Sequence, residues 1–179
     1  MPKYIAFLRA INVGGHTVKM DQLREVFEQC GFKNVETFIA SGNVIFDSTS
    51  KNPKALEKKI EAALLKAFGY EVHTFLRTPG ELTAVENYKP FPDSELKQEK
   101  NVLYVGFLSE SPGKTSVESV TKLQTPVDAL HVNDAEIYWL LRTSFSQSQI
   151  TGARLEKALG MRTTLRNITT VRRLIAKYC

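Results

Sequence analysis

The residues best suited to chemistry surround a pair of glycines near the start of the chain. Arg9, Asn12 and His16 flank Gly14 and Gly15. Because glycine tolerates positive φ, such a pair can present consecutive backbone N–H groups in a concave turn that suits a phosphate or carboxylate. The segment lacks both the lysine of a P-loop and the G-x-G-x-x-G spacing of a dinucleotide site, so a purely structural turn is the alternative interpretation.

Other polar residues lie where predicted strands turn or end. Arg77 and Arg166 each end a predicted strand before a helix cap, and a guanidinium at such a place costs desolvation unless it is paired. Ser41 and Asn43 belong to a predicted hairpin turn, which explains them without a function. The candidate ligand-binding residues are Arg9, Asn12, Gly14, Gly15, His16, Lys19, Ser41, Asn43, Arg77, Arg166 and Asn167.

No motif assigns a metal, a cofactor or a reaction. The three histidines, His16, His73 and His131, are scattered without metal-ligand spacing, so no metal site is predicted. A G-x-S-x-G nucleophile elbow is missing as well, although catalytic groups can assemble in space from distant positions. The sequence therefore leaves open whether the protein is an enzyme, and its cofactors are unknown.

Composition indicates an ordinary globular protein. The chain is 42% hydrophobic and 24% charged, which suffices for a packed core, and no apolar run reaches membrane-spanning length. Its two cysteines, Cys30 and Cys179, form no C-x-x-C pair. We therefore expect a reduced, cytoplasmic protein without a membrane partner.

The net charge of +5 is concentrated near the C-terminus. Residues 154–177 contain seven basic side chains and a single acidic one, Glu156. Such a segment can attract nucleic-acid phosphates, but a basic helix face is more often simply solvated. Nucleic-acid binding is therefore kept as an alternative function.

Hydrophobic periodicity predicts a β-α-β-β-α-β order in the first part of the chain. The predicted strands cover residues 4–10, 35–40, 44–47 and 71–76, and the predicted helices cover residues 20–30 and 53–68. Asn52 and Gly69 are placed to cap the second helix, and Thr78 with Glu81 forms a capping box for the next one. This order is typical of a ferredoxin-like fold.

The same order recurs after a proline-containing segment, residues 87–93. Strands are predicted at residues 102–108, 128–132, 136–142 and 162–166, and helices at 115–123 and 151–159, the first with a Thr115/Glu118 capping box. Asn167 caps a last helix. The fold class is therefore α+β, with two tandem ferredoxin-like subdomains, each followed by an extra helix. The expected boundaries are 1–77, 78–99 for the helix and linker, and 100–179.

Four motifs resemble one bacterial family. Residues 8–15 read LRAINVGG, residues 38–44 read FIASGNV, residues 77–82 read RTPGEL, and TLRN at 164–167 precedes Thr170 and Val171. This series is similar to the DUF1697 family of unknown function, from whose usual pattern the chain departs at Ala10, Ala40 and Ile168. The resemblance implies an α+β protein and carries no activity, substrate or cofactor.

Three functional hypotheses follow. The favoured one is binding of an anion, such as a phosphorylated small molecule or nucleotide, in a cleft between the two subdomains. The others are nucleic-acid binding through the basic C-terminal segment and a protein-interaction module without catalysis. Loop positions with polar side chains favour the first. The oligomeric state cannot be read from the sequence.

Overall fold

The computed structural model describes residues 1–12, 15–39 and 42–179. The chain divides into two compact units, unit 1 (Met1–Thr83 with Tyr178–Cys179) and unit 2 (Ala84–Lys177). The strands are β1 Lys3–Leu8, β2 Lys33–Thr37, β3 Asn43–Asp47, β4 Thr74–Arg77, β5 Val102–Phe107, β6 Asp128–Asn133, β7 Glu136–Leu141 and β8 Thr164–Asn167. The α-helices are α1 Met20–Gln29, α2 Pro53–Phe68, α3 Pro79–Asn87, α4 Asp93–Leu96, α5 Lys114–Thr121, α6 Gly152–Leu159 and α7 Ile168–Tyr178.

Unit 1 contains an antiparallel sheet in the strand order β2-β3-β1-β4. Alternate residues of a strand face one side of a sheet, and Tyr4, Ala6 and Leu8 of β1 share their side with a large apolar core. Helices α1 and α2 fill that core with Leu23, Val26, Phe27, Leu56, Ile60 and Leu64.

Unit 2 repeats the plan with an antiparallel sheet in the order β6-β7-β5-β8. Its core packs Ile137, Trp139 and Leu141 of β7 with Leu155 and Leu159 of α6. The two sheets and their helix order confirm the predicted α+β class with tandem ferredoxin-like subdomains.

The predicted helix ends are largely confirmed. Asn52 Oδ1 accepts the Ala55 N–H at 3.2 Å, and Gly69 ends α2 at a φ of 81°. The Thr78 N–H donates to Glu81 Oε2 at 2.8 Å while the Glu81 N–H donates to Thr78 Oγ1 at 3.2 Å, which completes the capping box before α3. These caps form because their partners lie only three residues apart.

The capping box predicted for Thr115 and Glu118 is wrong. Helix α5 begins at Lys114, with extended Gly113 at its N-cap and no side-chain cap, so Thr115 lies inside the first turn. Strand bounds also differ from the prediction: β1 ends at Leu8 rather than Ala10, whose φ is 56°. Since β4 pairs with β1 only as far as Leu8 opposite Thr74, β4 begins at Thr74 instead of Glu71.

Within the described ranges, no helix is both long enough and apolar enough to cross a membrane.

Candidate functional site

The loop between β1 and α1 is fastened by side chains on both sides of the glycine pair. Asn12 Oδ1 accepts the Val18 N–H at 2.8 Å, which closes the loop across its base. The Tyr70 hydroxyl donates to the Ile11 carbonyl at 2.8 Å, and the His16 ring stacks on the Tyr70 ring with centroids 3.9 Å apart. Asn12 and His16 therefore have structural contacts.

This loop meets the β2–β3 hairpin at one end of the unit 1 sheet. The Leu8 N–H donates to the Gly42 carbonyl at 2.9 Å, and Asn43 Nδ2 donates to the Phe38 carbonyl at 2.9 Å. Gly42 has a φ of 85°, and a Cβ there would lie 2.8 Å from Ile11 Cγ2. Only glycine fits this crossing.

The remaining candidate residues at this end of the unit 1 sheet lie in different environments. Gly15 and His16 are exposed, as is Lys19, whose backbone N–H donates to Gln22 Oε1 at 3.3 Å. The Arg9 N–H donates to the His73 carbonyl at 2.9 Å, one residue beyond the last paired residues of β1 and β4. Gly14 and Ser41 lie outside the described residues.

Arg77 and Arg166 occupy equivalent places in the two units. Each is 7% exposed on the closing strand of its sheet, and each Nη1 donates to the carbonyl of the preceding residue, Leu76 at 2.8 Å and Leu165 at 3.0 Å. Arg166 Nη1 also donates to Thr164 Oγ1 at 2.8 Å, and burial lowers the pKa of the Arg166 guanidinium to about 10. Both arginines thus support the backbone of their own strands.

Asn167 borders a cavity at the start of α7. Its Oδ1 accepts the Thr169 N–H at 2.9 Å, which confirms the predicted cap. We name this space, of about 200 Å³, the α7 cavity; it is lined by Leu96, Asn101, Val102, Leu103, Leu140, Asn167, Ile168, Thr169 and Arg172. The lining residues come from strands and helices of unit 2.

Two polar side chains of the α7 cavity donate hydrogen bonds to other groups of the chain. Arg172 is half-exposed, and its Nε donates to Glu86 Oε1 at 2.9 Å. Asn101 Nδ2 donates to the Glu95 carbonyl at 2.8 Å. Among the lining residues given above, Arg172 is the charged one, and Glu86 balances its charge through this ion pair.

Sequence reasoning did not single out the polar residues Asn101, Thr169 and Arg172 of this cavity as ligand candidates. Arg172 was seen only as part of the basic C-terminal segment, and Asn101 carries no local signal because its partner is a backbone carbonyl. In the same basic segment Arg166 is buried and Arg172 is ion-paired, which reduces the open basic surface. Nucleic-acid binding stays a prediction.

Across residues 1–12, 15–39 and 42–179, no group of three or more histidine, cysteine, aspartate and glutamate side chains is placed to hold a metal ion. The polar groups of the described site are amides, a hydroxyl and one guanidinium.

The element order and the two sheets define this chain as an α+β protein of two tandem ferredoxin-like units. A family model described as a protein of unknown function (DUF1697) matches residues 1–138. The chain belongs to this family, as its motifs predict.

A solved structure shares the whole fold. The conserved bacterial protein from Streptococcus pneumoniae is 22% identical, with a TM-score of 0.77 over 98% of this chain and 97% of that chain. At this identity the likeness establishes the fold alone. No curated protein matches the sequence.

Proposed function

We propose that the protein binds a small molecule through a phosphate or carboxylate group held in the α7 cavity. The observation that supports this most directly is that Asn167, Arg172 and the first residues of α7 line one space. Anion recognition needs converging donors with a positive field, and these groups supply both. The cleft expected between the subdomains remains a separate prediction.

The first turn of α7 supplies backbone donors. The first N–H groups of a helix have no acceptor within the helix, and the helix dipole favours negative charge there. Asn167 Oδ1 is committed to the Thr169 N–H, which leaves the Asn167 Nδ2 group to donate to a ligand. Arg172 adds a guanidinium beside these dipoles, with its Nε paired to Glu86 Oε1.

The size of the cavity limits the ligand. A volume of about 200 Å³ is smaller than the roughly 300–1,000 Å³ typical of pockets for drug-sized ligands. It accommodates a phosphate or carboxylate with a few carbons, rather than a complete nucleotide. Leu103, Leu140 and Ile168 provide apolar contacts for those carbons.

Titration calorimetry with inorganic phosphate and with acetate tests the proposal. We expect Arg172→Gln to weaken binding about 10- to 100-fold, because a hydrogen bond to a charged group contributes roughly 1.5–3 kcal/mol. Arg173→Gln is the matched control, since it removes the same charge one residue along α7 from a side chain that does not line the cavity.

A second variant separates binding from stability. Asn167→Asp keeps an oxygen for the Thr169 N–H but replaces the Nδ2 donor with a negative charge, so α7 stays capped while anion binding is lost. Unchanged affinity in both Arg172→Gln and Asn167→Asp, or no heat with either anion, would refute the proposed site.

A further inference from the structure

The wall of the α7 cavity is mostly apolar. Five of the nine described lining residues have aliphatic side chains, namely Leu96, Val102, Leu103, Leu140 and Ile168. The last three of these are buried in the fold. Because covering apolar surface favours association in water, such a wall suits a hydrocarbon chain. A ligand for this space therefore combines a short aliphatic part with one small polar group.

Some polar donors of the lining residues are already committed to the protein. Arg172 Nε donates to Glu86 Oε1 at 2.9 Å, and Asn101 Nδ2 donates to a backbone carbonyl at 2.8 Å. These bonds leave Asn167 Nδ2, the Thr169 hydroxyl and the Nη groups of Arg172 as the side-chain donors of the described wall. This small set suits the two oxygens of a carboxylate better than the three terminal oxygens of a phosphate ester.

Glu86 limits the positive charge beside the cavity. Its Oε1 lies 2.9 Å from Arg172 Nε and 3.7 Å from Lys89 Nζ, so one carboxylate is shared between two cations. These three groups together leave one positive charge in excess. An anion bound to the Arg172 guanidinium would also lie near Glu86, and like charges within roughly 4–6 Å disfavour each other. This balance favours a ligand with a single negative charge.

The second oxygen of Glu86 increases this discrimination. Glu86 Oε2 is buried and has no hydrogen-bond partner among residues 1–12, 15–39 and 42–179. Away from water, a charge acts more strongly on its neighbours, and no donor compensates this oxygen. Since Coulomb repulsion is proportional to charge, a dianion loses about twice as much as a monoanion at the same place.

We propose that the α7 cavity selects a short aliphatic carboxylate over a phosphate ester, and that Glu86 sets this preference. The ligand's carboxylate pairs with Arg172 and Asn167 Nδ2, and its chain contacts the apolar wall. Glu86 is not among the lining residues and acts through its contact with Arg172. This inference rests on the proposed function, because it names the class of anion for the same cavity.

Titration calorimetry of the unaltered chain with butanoate and with propyl phosphate tests the preference. Both ligands carry a propyl group, and at about pH 8 propyl phosphate has two negative charges, since the second pKa of a phosphate ester is about 6. We expect butanoate to bind at least about 10-fold more tightly. Butanamide has a similar shape without the charge and should bind more weakly than butanoate, because it forms no ion pair with Arg172.

The results of these titrations separate the inference from the proposed function. If propyl phosphate binds as tightly as butanoate or more tightly, and Arg172→Gln weakens its binding, the preference for a carboxylate is overturned while anion binding in the α7 cavity stands. If neither anion binds, or if butanamide binds as tightly as butanoate, both the inference and the proposed function are overturned.

Glu86→Gln tests the residue held responsible for the preference. Its amide oxygen still accepts the Arg172 Nε–H, so the guanidinium keeps its partner while one negative charge is removed. We expect the affinity for propyl phosphate to rise about 10-fold and the affinity for butanoate to rise less.

Glu118→Gln is the matched control, since it removes the same charge from an exposed position of α5, which contributes no residue to the described wall of the cavity. The ratio of the two affinities should not change in this variant. An unchanged ratio in a folded Glu86→Gln protein would overturn the role of Glu86. If that variant does not fold, the titrations of the unaltered chain still decide whether the cavity prefers a carboxylate.

Discussion

Ala6 and Gly106 hold the same place in the two sheets, but only unit 1 has room for a methyl group there. Ala6 pairs with Val44 and Leu76, and Gly106 pairs with Ile137 and Leu165. A Cβ at Gly106 would lie 2.5 Å from Ile137 Cγ2. One topology thus accommodates two different packings, because different side chains surround the central strand in each unit.

The closing strands show a second difference between the units. Arg77 and Arg166 make the same bond to the preceding carbonyl, so this feature is common to both. Helix α2 has 16 residues and reaches β4 with Glu57 and Glu61, whereas α6 has 8 residues and a single carboxylate, Glu156. The shared arginine supports the duplicated plan, and the two glutamates four residues apart are a feature of α2.

The largest difference in the free energy of unfolding should come from substitutions at the first residues of β6 and β2. Asp128 is fully buried and accepts from Trp139 Nε1 at 3.0 Å and from the Ser148 and Thr125 hydroxyls at 2.7 Å each, whereas Lys33 is exposed. Asp128→Ala leaves buried donors without an acceptor, so we expect a loss of about 3 kcal/mol of unfolding free energy. Urea unfolding followed by Trp139 fluorescence measures it.

Lys33→Ala is the counterpart in unit 1 and should change the free energy of unfolding by less than about 0.5 kcal/mol, as surface substitutions do. A loss with Asp128→Ala no greater than this would show that the buried hydrogen bonds do not distinguish the two units.

A smaller effect is expected from exchanging the central residues. Gly106→Ala places a methyl group against Ile137 and Thr163, so we expect a loss of about 2 kcal/mol from overpacking. Ala6→Gly should cost about 1 kcal/mol, mainly through backbone entropy. Thermal unfolding of both variants compares the two losses of stability. A loss in Gly106→Ala equal to or smaller than the loss in Ala6→Gly would mean that unit 2 repacks freely around β5.

The smallest effect should come from the ion pair between Glu95 and Arg142. Arg142 Nε and Nη2 donate to the two Glu95 oxygens at 2.8 and 2.9 Å, and these hydrogen bonds hold the pKa of the Glu95 carboxyl below its ordinary value. A lowered folded-state pKa contributes stability above the unfolded-state value, and that contribution disappears as the pH falls through the folded-state value.

We therefore expect Glu95→Gln to lower the melting temperature slightly at neutral pH and hardly at all in acid. Since both side chains are about one-third exposed, salt should also reduce the difference. Asp47→Asn, which removes the longer Lys3–Asp47 contact of 3.8 Å in unit 1, is the comparison. A larger fall in the melting temperature for Asp47→Asn than for Glu95→Gln would contradict the view that the Glu95–Arg142 ion pair is the stronger of the two.

Much of the fold was predictable because its signals are local. Asn52 with Gly69, Thr78 with Glu81, and Asn167 all mark helix ends through partners within a few residues, and the structure confirms them. The Thr115/Glu118 box failed because Gly113 already starts α5 one residue earlier. Local pattern alone cannot decide between two adjacent starting points.

The candidate site was less predictable because its contacts join distant residues. Asn167 was identified by its cap, but Arg172 and Asn101, 71 residues apart in the chain, line the same cavity only in the folded unit. Arg77 was identified as a ligand candidate from its position, and the structure shows its bond to the Leu76 carbonyl. The pairing register of β4 decides that the Leu76 carbonyl, which accepts this bond, points away from β1.

The sequence by itself determined the element order, the duplication and most helix ends, since periodicity and capping act over three or four residues. Only the tertiary structure decided which backbone groups of β4 meet Glu57 and Glu61, and which side chains surround the start of α7. Those outcomes depend on strand register and helix placement, which are set by the packing of the whole core and by no single segment.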